Sequence, residues 1–394
     1  MPHRGAEHTG ARIARVRKVR RLTQRELADI APVSYSTITK VEQGTIPASA
    51  AVIGALARAL SVPVSDLTGQ PYLHDLERDQ LDGLIQPIRE ALDVYDLGAD
   101  PLISPRPLDV LHAHADSLCA EIRDTNLRRA ATELPGLIQE VTTAAHLAGE
   151  DRAWEVLAST YRTAYDVATK LGYADLCTVA LDRMDWAATR ASSPILAGMR
   201  QYMRALLYLR SGQYRTGQRL IEVALTTLQH APPGLARDAT TGQLHLGASM
   251  LYANAQRADD AEGHLREAEQ IAARTGAVER LNWLAFGPAN VNAHRVAALA
   301  GLNRYDEAVQ VAERMTIPED WPRSRASRHH VEVARAKLLT GNATSAFESL
   351  VAARKAGPQQ TKYCWVARET YLGLEASRRQ LPGTLAHYGA WLGM

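Results

Sequence analysis

Five stretches of the chain share one arrangement: TKLGYADLCTVALDRM (169–184), LRSGQYRTGQRLIEVAL (209–225), NAQRADDAEGHLREAE (254–269), GLNRYDEAVQVAERM (301–315) and LTGNATSAFESLVAARKAGP (339–358). Each opens with a small or polar turn, often with an aromatic two residues on. A small residue follows, then apolar residues four and seven later. The small residues are Cys177, Gly217, Ala261, Ala308 and Ala346, spaced by 40, 44, 47 and 38. Apolar spacing of three and four is the period of a helix buried on one face. A small residue near the start of that helix lets a preceding antiparallel helix approach closely. A chain that repeats this pattern has few ways to fold other than helix pairs stacked in a row. Almost no strand signal appears beyond Tyr72, so an all-α chain is expected.

These repeats resemble tetratricopeptide units, helix-turn-helix pairs that stack into a superhelix. The usual period is about 34 residues, and the excess here implies longer helices or loops. Gly357-Pro358 after the last unit is similar to the family's closing proline. The expected domains are 1–72, a separate N-terminal unit; 73–127, a helical linker or start of the solenoid; and 128–394, the repeats. Within the second, residues 73–97 and 107–124 read as amphipathic helices around the loop GADPLISPRP.

The N-terminal unit is a different object. ARIARVRKVRR reads as a helix with Ile13, Val16 and Val19 on one stripe. Thr23 and Glu26 have capping-box spacing, opening a helix from Leu27 to about Ala31. Ser34 caps a third helix, which Gly44 ends. Ser49 caps a fourth, AAVIGALARAL, and Val62–Leu67 gives a fifth. Charge is uneven as well. Arg4, Arg12, Arg15, Arg17, Lys18, Arg20, Arg21 and Arg25 face a single acid, Glu7, in the first 25 residues, while the whole chain carries a formal charge of only +2. A basic head on a near-neutral body suggests a polyanionic partner.

The third helix, SYSTITKVEQG (34–44), is poor in strong helix formers. Serine and threonine hydroxyls compete for backbone hydrogen bonds. Such a helix suits the display of polar side chains to a partner. The stretch LTQRELADIAPVSYSTITKVEQGTIPAS resembles the Cro/phage-repressor (xenobiotic response element) family of five-helix DNA-binding domains. The resemblance implies that Tyr35, Ser36 and Lys40, with Thr39 beside them, face base edges in the major groove. It implies that Gln24 and Gln43, helped by Ser34 or Thr37, hold phosphates. Arg17 and Glu42 correspond to the family's ion pair between first and recognition helices. One departure stands out. The family usually has glycine in the turn, where this chain has Pro32, whose ring holds φ near −65°. The turn must be built differently.

A repressor-type head on a tetratricopeptide body resembles two groups of bacterial regulators. One is a large actinobacterial set, to which FGPANVNAHRVAALAGLNRYDEA (286–308) is similar in wording. The other is the peptide-pheromone receptors of Gram-positive bacteria. The resemblance implies a transcription regulator that binds double-stranded, palindromic DNA as a homodimer and responds to a small molecule or short peptide. The repeat phase places candidate ligand-binding residues on a concave face: Arg162, Asp166, Tyr202, Gln243, Leu246, Met250, Asn290 and Arg328, with Trp283 and Phe286 as one wall. Amides and guanidiniums suit a peptide backbone and a carboxylate. The competing reading for the aromatic residues is core packing. Two further readings stay open: control by a protein partner docked in the groove without small-molecule sensing, and a scaffold whose head has lost DNA binding through Pro32.

Other chemistry finds little support. His112 and His114 diverge on a helix, His329 and His330 are adjacent, and Cys364 has no partner at zinc-ligand spacing. No phosphate-binding, nucleophile-elbow or zinc-protease motif is present. No enzyme activity, cofactor or metal is expected. Three scattered cysteines, no apolar h-region and no 18-residue apolar run predict a cytoplasmic protein without membrane contact.

Overall fold

The computed structural model describes residues 8–278, 281–377 and 383–394. Arg4 and Glu7 of the basic stretch lie outside the described residues. Among the described residues there is no β-strand, and one isolated antiparallel bridge joins Val278 to Phe286.

The head comprises α1 (Thr9–Val19), α2 (Gln24–Ile30), α3 (Tyr35–Glu42), α4 (Ala50–Ala59) and α5 (Val64–Thr68). Capping sets most of these boundaries. Thr23 and Glu26 form a reciprocal capping box, so α2 begins at Gln24, earlier than the apolar pattern predicts. Ser34 Oγ accepts from the Thr37 N–H at 3.2 Å, and Ser49 Oγ from the Val52 N–H at 3.1 Å. Ile13, Leu27, Ile38, Val41, Ile53 and Leu56 fill the core between the helices. The turn between α2 and α3 is built without a left-handed residue. Ala31 is extended (φ −110°, ψ 142°) and no residue from 31 to 34 has positive φ. Pro32, exposed, needs nothing else.

The next segment is divided where one helix was expected over 73–97. It forms α6 (Leu73–Arg78), a 3-10 turn at Asp82–Leu84 and α7 (Ile85–Asp93). Gln80 adopts positive φ and breaks the run, and Pro87 sits in the first turn of α7, where its missing N–H costs nothing. Then come α8 (Leu108–Arg123) and α9 (Leu127–Ala148).

Five antiparallel pairs follow: α10 (Asp151–Leu171) with α11 (Ala174–Arg190), α12 (Pro194–Arg210) with α13 (Tyr214–Leu228), α14 (Leu235–Asn254) with α15 (Ala258–Thr275), α16 (Pro288–Gly301) with α17 (Tyr305–Arg314), and α18 (Arg323–Leu339) with α19 (Ala343–Ala356). The quoted repeats are the turns of these pairs. Cys177, Gly217, Ala261, Ala308 and Ala346 are each the fourth residue of the second helix, and all are buried. Two residues before each second helix the backbone turns left-handed, at Gly172, Gly212, Gln256, Asn303 and Gly341. Glycine takes that conformation freely, and asparagine is among the side chains that tolerate it best.

The chain ends with α20 (Pro358–Lys362), α21 (Trp365–Ala376) and α22 (Gly383–Leu392). These helices return to the beginning. Helix α18 touches α8, and Gln359 Oε1 accepts from the Leu127 N–H at 2.7 Å. Lys362 Nζ and Tyr363 Oη both reach Asp79 Oδ2 at 2.5 Å. Burial would raise the Asp79 carboxyl, but these two donors hold it below its ordinary value. Arg368 donates to Asp75 at 2.5 Å and lies over the Tyr72 ring at 3.7 Å. The solenoid therefore comes round on itself.

The head is docked at two points of this ring. The Thr9 N–H and hydroxyl donate to Glu369 Oε1 at 3.1 and 2.5 Å. Across the head, Arg58 donates to the carbonyls of Gly212 (2.6 Å) and Ser211 (3.2 Å). There the backbones meet directly: a Cβ on Gly54 would fall 2.8 Å from Gly212 Cα.

Candidate nucleic-acid interface and repeat-domain chamber

In the head, α3 shows its polar face to solvent. Tyr35, Ser36, Lys40 and Gln43 are exposed, while Ile38 and Val41 are buried. Tyr35 has the Arg25 guanidinium over its ring at 5.7 Å. An exposed cation, an aromatic hydroxyl and a serine on one short helix offer donors and acceptors of the kind that base edges pair with.

Behind this face lies a buried polar knot. Arg17 Nε and Nη2 donate to Glu42 Oε1 and Oε2, both at 2.7 Å, and Arg17 Nη1 donates to the Leu22 carbonyl at 2.6 Å. The Glu42 carboxylate raises the Arg17 guanidinium further above its ordinary value, against the opposing effect of burial. Gln24 belongs to the same knot. Its Nε2 donates to Glu42 Oε2 at 2.8 Å and its Oε1 accepts from Thr39 at 3.2 Å. Gln24, expected to hold a phosphate, and Thr39, expected beside the base readers, are partly exposed and hydrogen-bonded to each other. Both tie α2 to α3, and Thr39 also donates to the Tyr35 carbonyl at 3.0 Å. Ser34 and Thr37 share a hydroxyl contact of 2.8 Å at the start of α3.

A family described as a helix-turn-helix domain matches residues 8–68. Residues 8–68 are a helix-turn-helix domain. The match covers the head alone. No curated protein matches the chain. Two solved structures are similar over more of it. BtubC (BKLC) from P. vanneervenii is 16% identical, covering 64% of this chain and 91% of that one, with a TM-score of 0.36. Bacillus thuringiensis PlcR, solved in complex with the peptide PapR7 and DNA, is 16% identical, covering 78% of this chain and 94% of that one, with a TM-score of 0.35. In this chain the helix-turn-helix domain sits on an all-α body of paired helices. Among the described residues no helix is long and apolar enough to cross a membrane, and no group of three or more histidine, cysteine or acidic residues is placed to hold a metal ion.

The ten candidate ligand residues of the repeats separate into two sets. Leu246 and Phe286 are core, which corrects their expected place on a groove wall. The Phe286 ring packs onto Gly242 so closely that a Cβ there would lie 2.1 Å from Cζ. Tyr202, Gln243 and Asn290 are buried in one chain of hydrogen bonds: Asn290 Nδ2 donates to Gln243 Oε1 (3.2 Å), and Gln243 Nε2 to Tyr202 Oη (2.7 Å). Met250 is half-buried against the core that contains Leu246 and Phe286.

Arg162, Asp166, Trp283 and Arg328 form or flank a second place. The connection between α15 and α16 crosses to the far side of the ring. There the Trp283 indole donates to Asp116 on α8 at 2.7 Å, and the Trp283 carbonyl accepts from Arg162 on α10 at 2.9 Å. Arg325 of α18 reaches the Leu284 carbonyl at 3.4 Å. Arg162 Nε stands 3.9 Å from Asp166, and Arg328 pairs with Glu332 at 2.5 Å while remaining 53% exposed.

Arg123, Lys170, Arg325 and His294 belong to this chamber and were missed in the sequence. Arg162, Asp166 and Lys170 recur every fourth residue on α10, so the stripe that gave the first two pointed to the third. Burial, with Arg162 and Arg325 nearby, pushes Arg123 down to about 9. Burial likewise pushes Lys170 down to about 8, with Asp166 opposing and Arg325, Arg210 and Arg123 adding to it. His294 is driven to about 4, by burial first and then by Arg325, with Arg328 also contributing.

Proposed function

We propose that the chain is a DNA-binding transcription regulator whose repeat body receives a small signalling molecule or short peptide. The observation that carries the first half is the match of residues 8–68 to a helix-turn-helix domain, with Tyr35, Ser36, Lys40 and Gln43 exposed on its third helix. Lys40 would bond guanine O6 or N7, and Tyr35 would meet a thymine methyl, while Gln43, Ser34 and Thr37 take phosphates. The double docking of the head on the body supports the second half. A ligand that changed the ring would act on Arg58 and Thr9 and so on the pose of α3. Such a ligand must bind the DNA-competent and incompetent arrangements with different affinity. The protein would act in the cytoplasm, as a homodimer on a palindromic site, without catalysis.

The test is the affinity of the full-length protein for duplex DNA from its own upstream region, with and without extract of the producing culture. A shift in affinity is expected. Tight binding indifferent to extract would leave the regulator and remove the sensor, favouring control by a docked protein partner.

A further inference from the structure

The interior chamber of the ring carries more positive charge than its own carboxylates answer. Arg123 ends α8, Lys170 ends α10, and Arg325 and Arg328 open α18. Among the described residues Arg123, Lys170 and Arg325 have no carboxylate within salt-bridge distance. Three acids lie close by, and each is engaged: Asp166 with Arg162, Asp116 with the Trp283 indole, and Glu332 with Arg328. Arg123 is the clearest case. Its guanidinium lies over the Trp283 ring at 5.2 Å, makes no hydrogen bond among the described residues, and is neighboured by Arg162 and Arg325. Lys170 has an amide partner, Gln360, and Arg325 has a carbonyl at 3.4 Å.

Like charges gathered with few counter-charges cost stability. A purely structural network would pair them. Hydrogen bonds hold these cations in one place. The Trp283 and Leu284 carbonyls accept from Arg162 and Arg325, and Gln360, the partner of Lys170, donates to the Ser324 carbonyl beside Arg325.

We propose that this chamber binds a small anionic effector, a molecule with a carboxylate or phosphate group. The anionic group lies among Arg123, Lys170 and Arg325, against the Trp283 face. This deepens the sensor reading above and rests on it for its physiological meaning.

The test uses full-length protein with citrate, inorganic pyrophosphate, and chloride at matched ionic strength. At least one of the two anions is expected to raise the melting temperature by a few degrees in a saturable way. Arg123→Met, which keeps the contact with Trp283 but removes the charge, is expected to lose that rise. Without anion it should melt at or above the wild-type temperature, because a repelling charge has gone. Lys170→Gln gives the same readings by an independent route. Lys40→Ala, on the head, should leave the rise intact. The proposal is overturned if neither anion exceeds chloride, if the rise survives both chamber variants, or if it is lost in Lys40→Ala. DNA affinity measured in the same samples separates the two claims. An anion that binds without changing it refutes sensing and leaves the chamber. An extract that changes it while neither anion binds refutes the chamber alone.

Discussion

Glu42→Ala will unfasten the helix-turn-helix domain. Arg17 is 10% exposed and Glu42 5%, and the carboxylate also accepts from Gln24. Removing it leaves a buried guanidinium facing nothing but the Leu22 carbonyl, and a Gln24 amide without its acceptor. Breaking one side of a buried, hydrogen-bonded pair costs about 3–5 kcal/mol. Amide hydrogen exchange in α1–α3 should therefore speed up by roughly a hundredfold or more, the size of the change in the opening equilibrium. The pair itself is a poor stabiliser compared with apolar residues of the same volume, so Arg17→Met with Glu42→Leu should recover most of the loss. Protection unchanged in Glu42→Ala would mean that the pair does not hold α1 to α3.

A second large effect is expected far from the head. At Gly242 a Cβ would fall 2.1, 2.4 and 2.8 Å from three atoms of the Phe286 ring. The ring is 1% exposed and its backbone is bonded to Val278 at 2.7 and 2.9 Å, so it has no room to swing away. Gly242→Val should lower stability by about 1–3 kcal/mol or more through overpacking. Because Phe286 closes the same connection that carries Trp283, the damage should reach the chamber. Phe286→Leu shortens the ring's reach, so the double variant should be less damaged than the sum of the two single ones. Thermal unfolding of the four proteins measures this. Strict additivity would show that the two sites do not press on each other.

What could be read beforehand was local. The caps at Thr23, Ser34 and Ser49 announce themselves by side-chain type and spacing. The five small residues fell on one position of the second helix because close packing of a helix pair demands them there. Pro32 was harder. The sequence says that a left-handed residue is missing from the turn, but only the structure shows that an extended Ala31 suffices. Gln24 and Thr39 read as polar groups for DNA, but Gln24 donates to Glu42, 18 residues away, and accepts from Thr39, 15 residues away, and no local pattern announces either bond. Leu246 shares α14 with Gln243 and Met250, and helical periodicity does not tell groove from core when neighbours lie on both sides. Phe286 lies ahead of α16 in the bridge to Val278, where no helical period applies. Closure of the ring had no local sign. It rests on single contacts such as Lys362 with Asp79 and Gln359 with Leu127, which are separated by 283 and 232 residues and follow no period. The chamber's charge follows from that closure, since α8 and α18 meet only when the ring is complete.

The most direct measurement is the affinity of the full-length protein for duplex DNA from its own upstream region against a scrambled duplex, across a salt series. The account predicts tighter binding to its own region, an affinity that falls steeply and log-linearly with salt as counterions are released, and a loss of preference in Lys40→Ala larger than the loss of non-specific binding. No salt-dependent affinity for either duplex would contradict it.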